Sequence, residues 1–325
     1  MPVPTEAELS RAVELSAAVR AEIGRAVVGQ ESVLDEVVGA FIAGGHVLVE
    51  GVPGLGKTLI VLALARTFGG RSVRLQFTPD LMPSDVVGHT MFDVRTGEFR
   101  VRRGPAFTNL LLADEINRAS AKTQAALLEV MQEGQITIEG TSFPLEPPFM
   151  TLATQNPIEL EGTYPLPEAQ LDRFLLKIRM GYPGEEEELR MLASVTEGQV
   201  GERLDVSTVR QVATREEVLS VQRAAANLMV DPRVTAYALR IVRATRTWPG
   251  IRVGAGPRGG IALVRTARAR ALMAGRDFVT PDDVKAVTLP ALRHRIALAP
   301  DLEIEGRDAD EVLSGVLEGV EAPRQ

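Results

Sequence analysis

One run of eight residues limits this chain to few folds: Gly51-Val52-Pro53-Gly54-Leu55-Gly56-Lys57-Thr58. It follows a short apolar stretch, His46-Val47-Leu48-Val49, and precedes a helix-patterned stretch, Leu59 to Phe68. A strand, a glycine-rich turn and a helix in that order make a phosphate-binding loop. The glycines let the backbone curl so that several N–H groups point at one anion. The helix that follows turns its positive N-terminal end toward the same phosphates. Gly51, Pro53, Gly54, Leu55, Gly56, Lys57, Thr58 and Leu59 are therefore the nucleotide-binding candidates. In such a loop the lysine, here Lys57, reaches the β- and γ-phosphates, and the hydroxyl of Thr58 binds Mg²⁺.

The remainder of the chain has to supply a sheet around that loop. Val73, Leu75 and Phe77 alternate with Arg74 and Gln76, the period of a strand. Asn109 to Ala113, Phe149 to Ala153 and Leu175 to Met180 are further strands. A short run that is apolar throughout, such as Leu110-Leu111-Leu112-Ala113, fits a central parallel strand covered on both faces. Thr90 to Arg103 and Gln135 to Leu145 read as β-hairpins. Strands alternate with helices up to about residue 182, which makes residues 1–182 an α/β unit with a mainly parallel five-stranded sheet. Two helices lead it, the first opened by the capping-box pair Thr5 and Glu8. The Gly29-Gln30 break between them either lines a base pocket or is a simple helix break. From residue 183 to 325 the pattern is helical throughout, with no convincing period-two run, so a second, all-helical domain is expected.

The strand ends carry the second group of candidates. Asp114-Glu115 closes an apolar strand, and ligands in open α/β sheets bind at the carboxyl ends of strands. Asp114 is placed to hold Mg²⁺, directly or through water. Glu115 is placed to polarise the water that attacks the γ-phosphate. The strand Phe149 to Ala153 runs into Thr154-Gln155-Asn156-Pro157. Asn156 there positions the attacking water or reports loss of phosphate, although Asn-Pro is also an ordinary turn signal.

Composition removes other chemistries. The chain has 325 residues, 45% of them apolar, a net charge of −7 and no cysteine. Disulfides, thiolate catalysis and zinc–thiolate sites are excluded, and a reducing cytosol fits. His46, His89 and His294 are far apart without metal-ligand spacing. The N-terminal residues lack a signal-peptide pattern, and no stretch reaches the ~20 apolar residues of a membrane span. An acidic chain argues against a dedicated nucleic-acid binder. Arg100, Arg102 and Arg103 are either a polyanion or partner contact or a solvated strand edge.

Three longer strings now bear on identity: Leu112-Ala113-Asp114-Glu115-Ile116-Asn117-Arg118-Ala119, Ala153-Thr154-Gln155-Asn156-Pro157-Ile158-Glu159, and Gly162-Thr163-Tyr164-Pro165-Leu166-Pro167-Glu168-Ala169-Gln170-Leu171-Asp172-Arg173-Phe174. With Gly254-Ala255-Gly256-Pro257-Arg258-Gly259 they resemble the MoxR family of AAA+ ATPases, in the family's order and from about Ala26 to Leu292. The resemblance implies an αβα core, a helical lid, and the two hairpins as insertions within helix 2 and before sensor 1. It implies ATP as the nucleotide and a ring of identical subunits, commonly a hexamer. By the same resemblance Arg173 is an arginine finger donated to the neighbour's γ-phosphate, Arg258 is the lid's sensor 2, and Arg118 is a candidate interface arginine. Clients of such proteins often contain von Willebrand factor A domains, which implies a chaperone-like remodelling role. A chelatase-type motor subunit, a nucleic-acid motor and a nucleotide-gated scaffold are the alternatives. The second is disfavoured because Gly134 to Phe149 contains no Lys or Arg to grip phosphates.

Overall fold

In a computed structural model, the structure describes residues 4–156, 162–196 and 204–323. The Pro157-Ile158-Glu159 part of the strand-end string lies outside these residues. Helices α1 (Glu6–Gly24) and α2 (Glu31–Ile42) precede strand β1 (Val47–Glu50) and helix α3 (Lys57–Thr67). Next come β2 (Ser72–Gln76), the short helix α4 (Pro83–Val87), and the strands β3 (Gly88–Asp93) and β4 (Glu98–Arg103). Strand β5 (Leu110–Asp114), helix α5 (Ala121–Glu133), strands β6 (Gln135–Ile138), β7 (Thr141–Pro144) and β8 (Met150–Gln155), helix α6 (Glu168–Leu171) and strand β9 (Leu176–Arg179) complete the first part. The second part holds α7 (Glu185–Thr196), α8 (Arg215–Ala226), α9 (Pro232–Thr245), α10 (Pro257–Met273), α11 (Pro281–Leu292), α12 (Pro300–Ile304) and α13 (Ala309–Gly319), with β10 (Ile251–Val253) and β11 (Ala297–Leu298) between them.

The main sheet has five strands in the order β2-β5-β8-β1-β9, every pair parallel. The sequence dictates which strands are central. β5 is buried along Leu110 to Ala113, and β8 along Met150 to Thr154, as runs covered on both faces require. β2, with its polar alternate residues, forms the edge. β8 lies between β5 and β1, so the end of β8 stands between the strands that carry the acidic pair and the glycine loop. Both hairpins form as two-stranded antiparallel ribbons, with Phe92 opposite Phe99 in the first and Ile136 opposite Phe143 in the second.

Helix starts follow their capping residues. Thr5 with Glu8, Thr214 with Glu217 and Thr280 with Asp283 each form a reciprocal capping box. The expectation of an all-helical second domain needs correction, because β10 pairs antiparallel with β11. Strands of three and two residues are too short for a period-two pattern to register.

Two apolar clusters flank the sheet. One packs α5 and the second hairpin beneath it, through Leu111, Leu127 and Ile136. The other joins Ile23 and Val37 of the leading helices to Leu64 of α3 and to Tyr237, Leu263 and Leu292 of the C-terminal helices. That cluster is continuous across residue 182, so α1 and α2 share their core with the C-terminal helices.

Candidate functional site

A cavity of about 240 Å³ opens beside the glycine loop. Pro53, Gly54, Gly56, Lys57, Thr58 and Leu59 line one side of it. Asp114, Glu115, Arg74, Thr154, Asn156 and Leu204 line the other. Six loop candidates therefore meet Asp114, Glu115 and Asn156 at one place, and the parallel sheet is the reason: the carboxyl ends of β1, β5 and β8 lie side by side.

The loop has the form of an anion cradle. Gly54 and Gly56 adopt φ of +87° and +89°, where an L side chain is strained, and a Cβ built on either meets nothing within 4 Å. α3 begins at Lys57, so its unpaired N–H groups face this space. Lys57 Nζ folds back and donates to the Gly51 carbonyl oxygen. Burial pulls the Lys57 ammonium below its ordinary value, while the nearby Asp114 and Glu115 carboxylates oppose that shift. Gly51 lies deeper than the cavity: a Cβ there would stand 2.6 Å from the Met180 carbonyl oxygen. Leu55 packs against the larger apolar cluster.

Asp114 and Glu115 are held by residues that sequence reasoning missed. Thr154 Oγ1 donates to Asp114 Oδ1 at 2.6 Å and accepts from the Glu115 N–H at 2.8 Å. Arg74 donates to Asp114 Oδ2 through Nη2 at 2.6 Å and Nε at 3.1 Å. Gln76 Nε2 donates to Glu115 Oε2 at 2.8 Å, and Arg118 Nε lies 3.1 Å from the same oxygen. Glu115 has φ of 55°, a left-handed conformation rare outside glycine. That turn aims the side chain away from the strand and toward the cavity. The available signal was the alternation of β2. It puts Arg74 and Gln76 on one face of the strand next to β5, where Gln76 is in register with Asp114.

The oxygen donors fit Mg²⁺ in a particular way. Among the described residues no group of three or more His, Cys, Asp or Glu side chains is arranged to hold a metal. The Thr58 hydroxyl and the Asp114 carboxylate both line the cavity. A pair of that kind suits an ion that keeps several waters and takes the rest of its shell from phosphate.

The other candidates lie elsewhere. Gln30 Nε2 donates to the Gly181 carbonyl at 3.0 Å, and a Cβ on Gly29 would approach the Cβ of Glu187 at 2.8 Å and that of Pro183 at 2.9 Å. The break between α1 and α2 is thus packed onto the connection from β9 to α7. Arg173 follows α6, and Arg258 is in the first turn of α10, with its Nε 3.9 Å from Asp172 Oδ2. Neither arginine lines the loop cavity.

Comparison with known proteins agrees with this arrangement. The profile described as "ATPase family associated with various cellular activities (AAA)" matches residues 46–176, and that of the AAA lid domain matches residues 243–316. The chain is 43% identical to the chaperone MoxR1 of Mycobacterium tuberculosis over 316 residues, covering 93% of this chain and 81% of the relative. It is 45% identical to the YeaC protein of Bacillus subtilis over 303 residues, 93% of each. The crystal structure of a Cytophaga hutchinsonii protein assigned as an ATPase superposes with a TM-score of 0.90 at 39% identity, covering 98% of both chains. The similarities to these three proteins each cover 93% or more of the chain. The chain belongs to the MoxR family of AAA+ ATPases.

Proposed function

We propose that this protein hydrolyses ATP to ADP and phosphate with Mg²⁺, as one subunit of a homo-oligomeric ring, commonly a hexamer in this family. The observation that carries this reading is the convergence of Lys57, Thr58, Asp114, Glu115 and Asn156 on one cavity at the carboxyl ends of parallel strands. Lys57 leaves the Gly51 carbonyl and pairs with the β- and γ-phosphates. The loop N–H groups hold the same oxygens. Thr58 and Asp114 would hold Mg²⁺, which would supply positive charge against the phosphates. The Glu115 carboxylate draws a proton from the attacking water, and Asn156 orients that water from the end of β8. Gly29 and Gln30, packed on the β9–α7 connection, border the adenine.

Residues 1–182 serve as the nucleotide-binding core and 183–325 as the lid. Arg173 lies outside its own loop cavity, which supports a role in the neighbouring subunit's site, where it stabilises charge on the transferring phosphoryl group. Arg258 links lid position to nucleotide state. The work done is chaperone-like remodelling of a protein client, for which a von Willebrand A-domain protein is our candidate. The absence of Lys and Arg from Gly134 to Phe149 supports a protein client over nucleic acid. Among the described residues no helix is long and apolar enough to cross a membrane. With no cysteine in the chain, a cytoplasmic location suits the protein.

Phosphate release by the purified protein tests the reaction. Wild type releases phosphate steadily, Lys57→Ala does not bind ATP, and Glu115→Gln binds it but turns it over poorly. Equal turnover by Glu115→Gln and wild type would remove Glu115 from the mechanism. Co-purification with the Glu115→Gln protein tests the client.

A further inference from the structure

We propose that Asp172 is a positioning residue that ties Arg173 to the lid, so that the lid's hold on Asp172 sets how a subunit presents Arg173 to its neighbour. The inference rests on the roles proposed above for Arg173 and Arg258 and adds the connection between them.

The segment entering β9 is gripped by three consecutive residues after α11. Arg295 donates to Asp172 Oδ1 at 2.8 Å, to the Phe174 carbonyl at 2.6 Å and to the Leu175 carbonyl at 3.1 Å. His294 Nε2–H donates to the Phe174 carbonyl at 3.1 Å, and Arg293 Nη1 donates to the Lys177 carbonyl at 3.0 Å. This part of the lid is therefore fastened to the segment that carries Arg173.

The two oxygens of Asp172 have different partners. Oδ1 belongs to Arg295, whose side chain is only 3% exposed. A buried guanidinium stripped of its carboxylate is strongly unfavourable, so this arm is fixed. Oδ2 faces Arg258 at 3.9 Å, and the Arg258 side chain is 48% exposed. A loose, solvated pair exchanges its partner at little cost. One carboxylate thus has a fixed arm to the lid and an exchangeable arm to the proposed nucleotide sensor. The next residue in the chain is Arg173, whose backbone N–H donates to the Gln170 carbonyl at 3.2 Å. Release of Arg258 leaves Asp172 held by Arg295 alone, and the adjoining peptide carries Arg173 with it.

Two-component rings isolate the effect. A receiver carries Arg173→Ala and keeps its nucleotide site. A lender carries Lys57→Ala and contributes only its Arg173. Adding Asp172→Asn to the lender lowers the restored phosphate release about tenfold, within the ~10²-fold that a misplacement of about 1 Å can cost. ATP binding by the receiver is unchanged. Adding Arg258→Ala to the lender instead, which leaves the buried Arg295 pair intact, also lowers the restored release. The Arg258→Ala lender decides the matter if the Asp172→Asn lender does not enter the ring. Restoration at the parental level by either variant overturns the proposal. A parental mixture that restores nothing, with mixing verified, overturns the trans role of Arg173 itself and this inference with it.

Discussion

Arg74 and Asp114 meet across two adjacent parallel strands, the Arg74 guanidinium donating to Asp114 Oδ2 at 2.6 Å from the edge strand β2. With Thr154 on Oδ1, both oxygens of the proposed metal-binding carboxylate are engaged. Arg74 is 55% exposed, so its pair with Asp114 is a weak one. Arg74→Gln is expected to lower the half-saturating Mg²⁺ concentration by about twofold to fivefold, the range that an exposed pair of ~0.5–1 kcal/mol allows. A Mg²⁺ titration of phosphate release measures it. An unchanged or higher midpoint would show that Arg74 does not compete with the metal.

Thr154 serves two neighbours with one buried hydroxyl. Thr154→Val keeps the shape and leaves the Glu115 N–H unpaired, at a cost of about 1–3 kcal/mol. The Glu115 backbone, at φ of 55°, loses the bond that holds it there. Thermal melting is expected to fall and turnover with it, and Thr154→Ser is expected to recover both. A Val variant that melts and turns over like wild type contradicts this account of the turn.

His46 makes stability depend on pH. Its Nε2–H donates to the Met131 carbonyl at 3.0 Å, and its Nδ1 accepts from the Thr151 N–H at 2.9 Å. Both ring nitrogens are satisfied only when the ring is neutral. Burial pushes the imidazole down from 6.5 to about 4. The unfolded chain binds the proton first, so stability is lost as pH falls below 6.5 and on toward 4. Linkage gives about 2 kcal/mol lost between pH 7.5 and pH 5. Glu36 has the opposite sign: burial raises its carboxyl from 4.5 to about 7, so its contribution is lost as pH rises through that range. It cancels in the difference between wild type and His46→Gln. Urea midpoints measured across pH 5–7.5 should fall less steeply in acid for His46→Gln. Parallel curves would show that His46 does not carry the effect.

Much of this was legible in the residues, for reasons that particular elements make plain. The glycine loop declared itself because its conformation needs glycine and its helix starts at the lysine. β5 and β8 were legible because a strand covered on both faces is apolar throughout. What stayed hidden depended on neighbours distant in sequence. Arg74 and Gln76 looked like the solvent side of a strand until the sheet order set β2 beside β5. Thr154 was one more polar residue at a strand end. The bond from Arg295 to Asp172 spans 123 positions, and no local pattern announces it. β10 and β11 were too short for periodicity to mark them. The role proposed for Arg173 came from the family resemblance, since an action on another subunit would leave no local pattern to reveal it.

The central claim is that the loop cavity is half of a site, completed by Arg173 of an adjacent subunit. Phosphate release from a mixture of Lys57→Ala and Arg173→Ala proteins tests it most directly. Each protein alone is expected to be inactive. Mixed rings contain interfaces that pair an intact Lys57 with an intact Arg173, and these are expected to restore release well above either parent. Mixed rings that stay at the parental background would contradict the claim.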